Sequence, residues 1–458
     1  MFKYKILAIF VVIIYFSQSF FLSYGGIGAD SLSYFEIASD FPNWTTNLFP
    51  PVYPLVLRVF YIWIGDYFWA YKIIDVVLIT ASLGFSWVRK FFFRETVLLF
   101  TGKSLFMALN GANSESLFVF LLYFLLYFIY QFRNNKISNL YFAVSSSILM
   151  ILLVGTRYSG VFLWGAFVVY FIWGYNSLRL AKQLKGFVYF IVFSFLGISI
   201  YLLLNYYQFG SLTGENIRGG RGEIINVYLL RDLLGIINVV NPFIGIKPSA
   251  NSLASLIFQI AVAGMDIFLL YKFVQWYKKN KTTFHGDFHI LLWIITIVYS
   301  LAVFFSGFSQ QIEEMNVRML MAANFSFFFS WLILYFERYN SDKILFLISC
   351  FFLSFLMIYS LKTPDWFLGY KKQLTPQVKK FKSKKYLYNN EKSLVTTTIY
   401  QLPFSEKTWK YQHTNRQIGE LKQTLIGTIN PKIKWLKYDT LKDKSKVLYT
   451  SELNLKME

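Results

Sequence analysis

Apolar runs alternate with short polar stretches along the first four fifths of the chain, and the polar stretches are mostly basic on every second visit. A run of roughly 18 apolar residues is long enough, at 1.5 Å per residue, to cross a hydrocarbon core about 30 Å thick. Spans are expected at 6–24, 67–88, a hairpin turning near 110–116, 140–154, 161–174, 186–204, 253–273, 290–305, 317–336 and 344–361. The basic punctuation (Lys3 and Lys5; Arg89, Lys90 and Arg94; Arg133 and Lys136; Arg179, Lys182 and Lys185; Lys278, Lys279 and Lys281; Arg338 and Lys343) falls on alternate loops. Because short basic loops stay cytoplasmic, this predicts about eleven transmembrane helices with the N-terminus inside. The fold class is therefore all-α and polytopic. The first span has a basic start like a signal peptide, but its apolar core is longer than such segments carry, so it reads as an uncleaved anchor. Residues 25–66 and 205–249 are the two long external loops. Within the first, Pro50, Pro51 and Pro54 and the mid-segment Arg58 make 49–63 an interfacial amphipathic helix rather than a span.

The pattern changes at Lys362. Residues 362–458 hold 20 Lys and Arg against 8 Asp and Glu and read as a separate water-facing α+β domain on the external side, with strands at 393–402 and 432–438 and a helix at 415–426. The transmembrane module is thus 1–361.

Composition agrees: the 458 residues are 56% hydrophobic, 21% aromatic and only 15% charged, with a mean hydropathy of +0.45, against a charged share of about 25% in soluble domains. Lipid is the solvent for most of the chain, in a cytoplasmic (inner) membrane. The single cysteine, Cys350, excludes an intrachain disulfide. A net charge of +21 is explained by orienting loops and attraction to anionic membrane lipids rather than by nucleic acid.

With this topology the scarce ionisable residues Asp30, Glu36, Asp40, Glu115, Arg157, Arg218, Arg221, Glu223, Glu313, Glu314 and Arg318, together with Asn113, fall on or near the external face. Ionisable groups at membrane depth are costly and mark function, so acids and arginines gathered on one side point to a site there. The plainer reading is that loops are polar because they are wet, and it weighs most on the long loop holding Arg218 and Arg221. Arg157 and Arg318 sit instead at the mouths of apolar spans. Asp30, which follows Gly28 and Ala29, also fits a helix cap or turn acid.

Four segments, in order, resemble the GT-C superfamily of membrane glycosyltransferases, which includes protein O-mannosyltransferases and the aminoarabinose transferases of lipid A. They are Gly28-Ala29-Asp30-Ser31-Leu32-Ser33-Tyr34-Phe35-Glu36 after the first span, Phe49-Pro50-Pro51-Val52-Tyr53-Pro54, Asn113-Ser114-Glu115-Ser116, and Thr156-Arg157-Tyr158-Ser159-Gly160. Asn316-Val317-Arg318-Met319 is a weaker fifth. The likeness covers about residues 1–340. It departs from the members that act on proteins, which commonly carry two adjacent acids in the first loop where Asp30 is followed by Ser31. The resemblance implies a polyprenyl-phosphate-linked sugar donor and a lipid, glycan or protein acceptor. A sugar on a polyprenyl phosphate already has a good leaving group, so inverting transfer needs a base and a cation. Asp30 is the candidate base. Arg157 and Arg318 are the candidate phosphate clamp, with Arg58, Arg218 and Arg221 as competitors, because the guanidinium fork matches phosphate in a way lysine does not. Tyr34, Glu36, Tyr53, Asn113, Glu115 and Tyr158, with Arg218 and Arg221, are the candidate substrate-binding residues. No cofactor is required, and a divalent metal stays compatible with the reading.

Other signals are weaker. His285 and His289 have the i, i+4 spacing of a metal pair but fall in a basic loop. Asn43-Trp44-Thr45 is a glycosylation sequon by pattern. Two rival classes remain: an O-antigen polymerase or ligase, which relies on a late external loop, and a secondary transporter, for which the mid-span charges Lys72, Asp75, Lys103 and Asp266 are the best argument.

Overall fold

The computed structural model describes residues 1–21, 29–42, 44, 46–109, 111–215, 226–246, 253–279, 286–308, 315–339, 342–360, 386–390, 395–399, 436–439, 447–450 and 454–457. The helices in chain order are α1 (Phe2–Phe21), α2 (Ala29–Asp40), α3 (Val52–Ile64), α4 (Tyr67–Val88), α5 (Phe93–Leu99), α6 (Lys103–Leu109), α7 (Ser114–Arg133), α8 (Asn139–Thr156), α9 (Gly160–Trp173), α10 (Tyr175–Leu180), α11 (Leu184–Phe209), α12 (Asn226–Ile237), α13 (Leu253–Lys279), α14 (Gly286–Ser306), α15 (Met321–Arg338) and α16 (Lys343–Ser360). Six of them, α4, α7, α8, α11, α13 and α14, are long and apolar enough to cross a membrane, and α3, α9 and α16 are shorter apolar helices. The chain is a multi-pass helical membrane protein.

Local chemistry sets several boundaries. Asp66 caps α4, its carboxylate accepting from the backbone N–H groups of Phe68 at 2.8 Å and Trp69 at 3.4 Å. The helix expected at 49–63 is α3, which ends at Gly65 in the left-handed region at φ 75°. The closest helix pairing, α8 on α11, depends on small residues. A Cβ on Gly186 would lie 2.5 Å from the Phe132 ring and 2.7 Å from Asn139 Oδ1, and one on Gly197 would collide with Ile151.

The structure corrects the sequence reading in three places. The leg between Arg94 and Asn110, expected as one span, is two seven-residue helices. The break falls where the Phe100 carbonyl accepts from the Tyr15 hydroxyl (2.7 Å) and the Lys103 N–H is taken by the Pro242 carbonyl (2.9 Å), so neither serves a continuous helix. The expected loop 205–249 contains the end of α11 and all of α12, followed by a 3-10 turn at Asn238–Val240. His289 is not in a loop but buried in α14, with Nδ1 2.9 Å from Ser330 Oγ.

Two of the four mid-span charges form a structural pin. Lys103 Nζ donates to Asn238 O (2.8 Å), Asn238 Oδ1 (2.6 Å) and Ile244 O (3.1 Å). Asn238 and Asn241 donate in turn to the two oxygens of Asp266, at 2.8 and 2.7 Å. Asn324 Nδ2 donates to the carbonyls of Val239 and Asn241. The 3-10 turn is thereby fastened to α6, α13 and α15. Lys72 and Asp75 lie one turn apart on α4, both buried.

In the tail, the described residues form five short antiparallel strands, β1 (Tyr386–Asn390), β2 (Val395–Ile399), β3 (Leu436–Asp439), β4 (Val447–Thr450) and β5 (Asn454–Met457), in the order β2-β1-β5-β4-β3. β2 and β3 overlap the expected strands; the expected helix 415–426 lies outside the described residues.

Candidate functional site

The antiparallel course of the helices brings the start of α2, the start of α7, the end of α8, the end of α14 and the turn before α15 to one end of the bundle. The basic ends carrying Arg133 and Arg338 are at the other. At the first end, four ionisable side chains from four separate segments meet. Asp30 sits in the first turn of α2, where the helix N-terminus favours a carboxylate. Glu115 occupies the first turn of α7, its side chain 3% exposed. Arg157 ends α8 in extended backbone, its N–H still bonded to Leu153 O at 2.9 Å. Arg318 is in the turn before α15, held by Asn316 Oδ1, which accepts from the N–H groups of Arg318 (2.9 Å) and Met319 (3.1 Å).

The contacts form a chain of alternating charge. Arg157 Nη1 is 2.5 Å from Glu115 Oε1, Arg318 Nε is 3.2 Å from the same oxygen, and Arg318 Nη2 is 2.7 Å from Asp30 Oδ2. Two carboxylates face two guanidiniums, so the cluster is close to neutral. Arg157 Nη1 also donates to Ser114 Oγ at 3.3 Å, and Tyr34 OH is 2.8 Å from that oxygen. Burial, with the Glu115 and Asp30 carboxylates nearby, pushes the Tyr34 phenol above its ordinary range, so it stays a neutral hydroxyl.

The cluster borders a cavity of about 660 Å³. Asp30, Tyr34, Ser114, Arg157, Tyr158 and Arg318 are among its polar lining residues. Phe49, Val161, Phe162, Leu202, Val303 and Met319 give it an apolar wall. A volume of about 300–1,000 Å³ is usual for ligand sites.

Of the residues singled out from sequence, Asp30, Glu115, Arg157, Arg318, Tyr34 and Tyr158 are brought together, Glu115 lying behind the arginines rather than on the wall. Tyr158 is engaged on both sides: its hydroxyl donates to Asn47 O at 2.7 Å and accepts from Asn205 Nδ2 at 3.1 Å. Arg58 is not with them; it lies over the Tyr61 ring at 5.5 Å on α3, away from the cavity wall. Tyr53 is fully buried behind Tyr34, with ring centroids 5.1 Å apart, and Asn113 precedes α7 without a capping side-chain bond. Arg218 and Arg221, with Glu223, Glu313, Glu314, His285 and the Glu36 side chain, lie outside the described residues.

Sequence reasoning missed two titratable wall residues. Tyr299, from the middle of an apolar span, donates toward Ser159 Oγ at 3.0 Å; nothing in its neighbours marks it. Glu215 closes a turn, accepting from Leu212 N (2.9 Å) and Thr213 N (2.7 Å); partial burial pushes its carboxyl up, but these bonds outweigh it and hold it below the usual range. Its signal was the Thr213-Gly214-Glu215 turn. Among the described residues, no group of three or more His, Cys, Asp or Glu side chains is placed to hold a metal.

No protein-family model matches the sequence, and no curated protein matches it significantly. Among solved structures, ArnT from Cupriavidus metallidurans bound to undecaprenyl phosphate is similar at a TM-score of 0.46 and 14% identity, over 73% of this chain. The chain spans 60% of that structure's length. A likeness this distant carries no functional inference.

Proposed function

We propose that the protein is an inverting membrane glycosyltransferase of GT-C type, taking a sugar from a polyprenyl-phosphate donor at the external face. The observation that carries this reading is the meeting of Asp30, Arg157 and Arg318 on one cavity lined by both polar and apolar side chains. The apolar residues suit a prenyl chain and the polar ones a sugar phosphate. Asp30 accepts the proton of the acceptor hydroxyl as its oxygen bonds to the anomeric carbon; the carbon–oxygen bond to phosphate breaks on the opposite face. Arg157 and Arg318 stabilise the charge growing on the leaving phosphate. Arg318 is paired with Asp30 at 2.7 Å, so a donor phosphate competes with Asp30 for Arg318 and releases the base. Glu115 holds the two arginines side by side.

The test is transfer from a polyprenyl-phosphate sugar by the purified protein in vesicles. Asp30→Asn should lower the rate by about 10²–10⁴ while donor binding persists, which is the usual worth of a general base. A rate within a few-fold of wild type would return Asp30 to the role of helix-start acid.

A further inference from the structure

At the end of the bundle remote from Asp30, a second cavity of about 430 Å³ lies between α13 and α15. Three cations line it: Lys272, Lys279 and Arg338. Among the described residues none of the three has an ion pair, and no acid lines the cavity. Glu337, next to Arg338, turns elsewhere, its Oε2 3.8 Å from His289 Nε2. The remaining wall is largely aromatic. Trp276 packs on Trp331 at 5.6 Å and on Tyr339 at 5.6 Å between ring centroids, and Gln275 adds a neutral donor. Tryptophan and tyrosine at helix ends are the side chains that settle at the headgroup level of a bilayer.

Part of the cavity wall belongs to an exposed apolar face of α13. Phe268, on its wall, is 56% exposed, and Ile257, Ile260 and Ile267 continue an exposed apolar stripe along the same helix. Its depth is fixed by α15: Arg318 lies just before this helix and Arg338 is its last residue, so about 27 Å of helix, roughly a hydrocarbon thickness, separates the two cavities. Three cations with no ion pair among the described residues, two of them resting on wall aromatics (Lys272 over Phe268 and Arg338 over Tyr339, both at 5.5 Å), an interfacial aromatic wall and an apolar track leading away match one kind of molecule. We propose that this pocket binds an anionic phospholipid of the leaflet opposite the transfer site, its headgroup phosphate on Lys272, Lys279 and Arg338 and an acyl chain along Phe268. A soluble phosphate would satisfy the cations but leave the exposed track uncovered. The proposal is independent of the transfer chemistry at Asp30.

The full-length protein in neutral detergent, titrated with phosphatidylglycerol or phosphatidylcholine and read by native mass spectrometry, tests it. Wild type should retain phosphatidylglycerol preferentially, and Lys272→Gln with Arg338→Gln should weaken that retention by about fivefold per charge removed, the worth of one basic residue near an anionic surface. Lys272→Arg with Arg338→Lys should keep it, which separates loss of charge from loss of fold, and Arg179→Gln, an exposed cation elsewhere at the same end, should leave it unchanged. Equal retention of the two lipids by wild type, or an undiminished preference in the double Gln variant, would overturn the assignment. Displacement of the lipid by millimolar inorganic phosphate or glycerol phosphate would overturn it too, in favour of a soluble anion.

Discussion

Glu115 is the residue whose removal separates organisation of the site from the chemistry itself. Its Oε1 touches Arg157 at 2.5 Å and Arg318 at 3.2 Å, and the side chain is 3% exposed. Glu115→Gln keeps the shape and removes the charge, leaving two guanidiniums side by side with Asp30 as the only carboxylate in the chain of contacts. Breaking a buried ion pair by removing one partner costs about 3–5 kcal/mol. Here the loss should be nearer 1–3 kcal/mol, because the Gln carbonyl still accepts a hydrogen bond and because both arginines, 22% and 27% exposed, are partly screened. The charge of the cluster goes from near zero to about +1, so binding of polyprenyl phosphate should hold or tighten. Turnover should fall by roughly ten- to a hundredfold, since arginines free to splay bind the anion without aligning on the phosphate in the transition state. Affinity is measured by native mass spectrometry or calorimetry with polyprenyl phosphate, rate by donor turnover in vesicles. Glu115→Asp, which keeps the charge on a shorter stem, should recover part of the rate. Wild-type turnover in Glu115→Gln would refute the role, as would a loss of affinity parallel to the loss of rate.

Three further expectations follow from the same contacts. Arg157→Lys and Arg318→Lys should each weaken donor binding or turnover roughly ten- to a hundredfold, the range of a charge-assisted bond worth about 1.5–3 kcal/mol, whereas Arg58→Lys should change little; normal kinetics in both of the first two would move the clamp elsewhere. In a Cys350→Ser background, cysteines placed at Glu215 and Asn390 should react with an impermeant thiol reagent in intact cells, and protection of both would reverse the topology and remove the external site. Asn238→Ala should take one of three bonds from Lys103 and leave one oxygen of Asp266 without its amide, destabilising the protein by roughly 1–3 kcal/mol, seen as a lower midpoint of thermal unfolding; an unchanged midpoint would mean the pin carries no weight.

The membrane class, the short helix after the prolines and the ends at which Asp30, Glu115, Arg157 and Arg318 lie were legible because each rests on local information: apolar run length, prolines at 50, 51 and 54, and alternation of basic loops. The split of 94–109 into α5 and α6 was not, because its cause lies at Tyr15 and Pro242, far away in sequence. Arg58 looked equivalent to Arg157 as a lone arginine beside apolar residues. What separates them is direction: Arg58 turns to Tyr61 on its own helix, Arg157 toward Glu115. Tyr299 was invisible because one tyrosine among many in apolar spans has no distinguishing pattern; only the α9–α14 packing turns it to the cavity.

The two buried charge clusters show what decides between structure and function in this chain. Lys103 and Asp266 were two of the four mid-span charges that argued for a transporter, since ionisable groups inside spans are expensive and need a reason. In the structure the reason is local. The three hydrogen bonds of the ammonium go to protein oxygens, and both oxygens of the carboxylate accept from asparagine amides. The adjoining space is about 10 Å³, too little for a substrate. The cluster at Asp30 has the opposite character: its charges also pair, but Asp30, Arg157 and Arg318 each line a space of about 660 Å³. A guanidinium beside such a cavity can exchange a protein carboxylate for a ligand phosphate without being stripped of partners. One locked inside a packed amide network cannot. The Lys103–Asp266 network is more deeply buried than the partly exposed Asp30 cluster, and the adjoining volume is what distinguishes a pin from a candidate site.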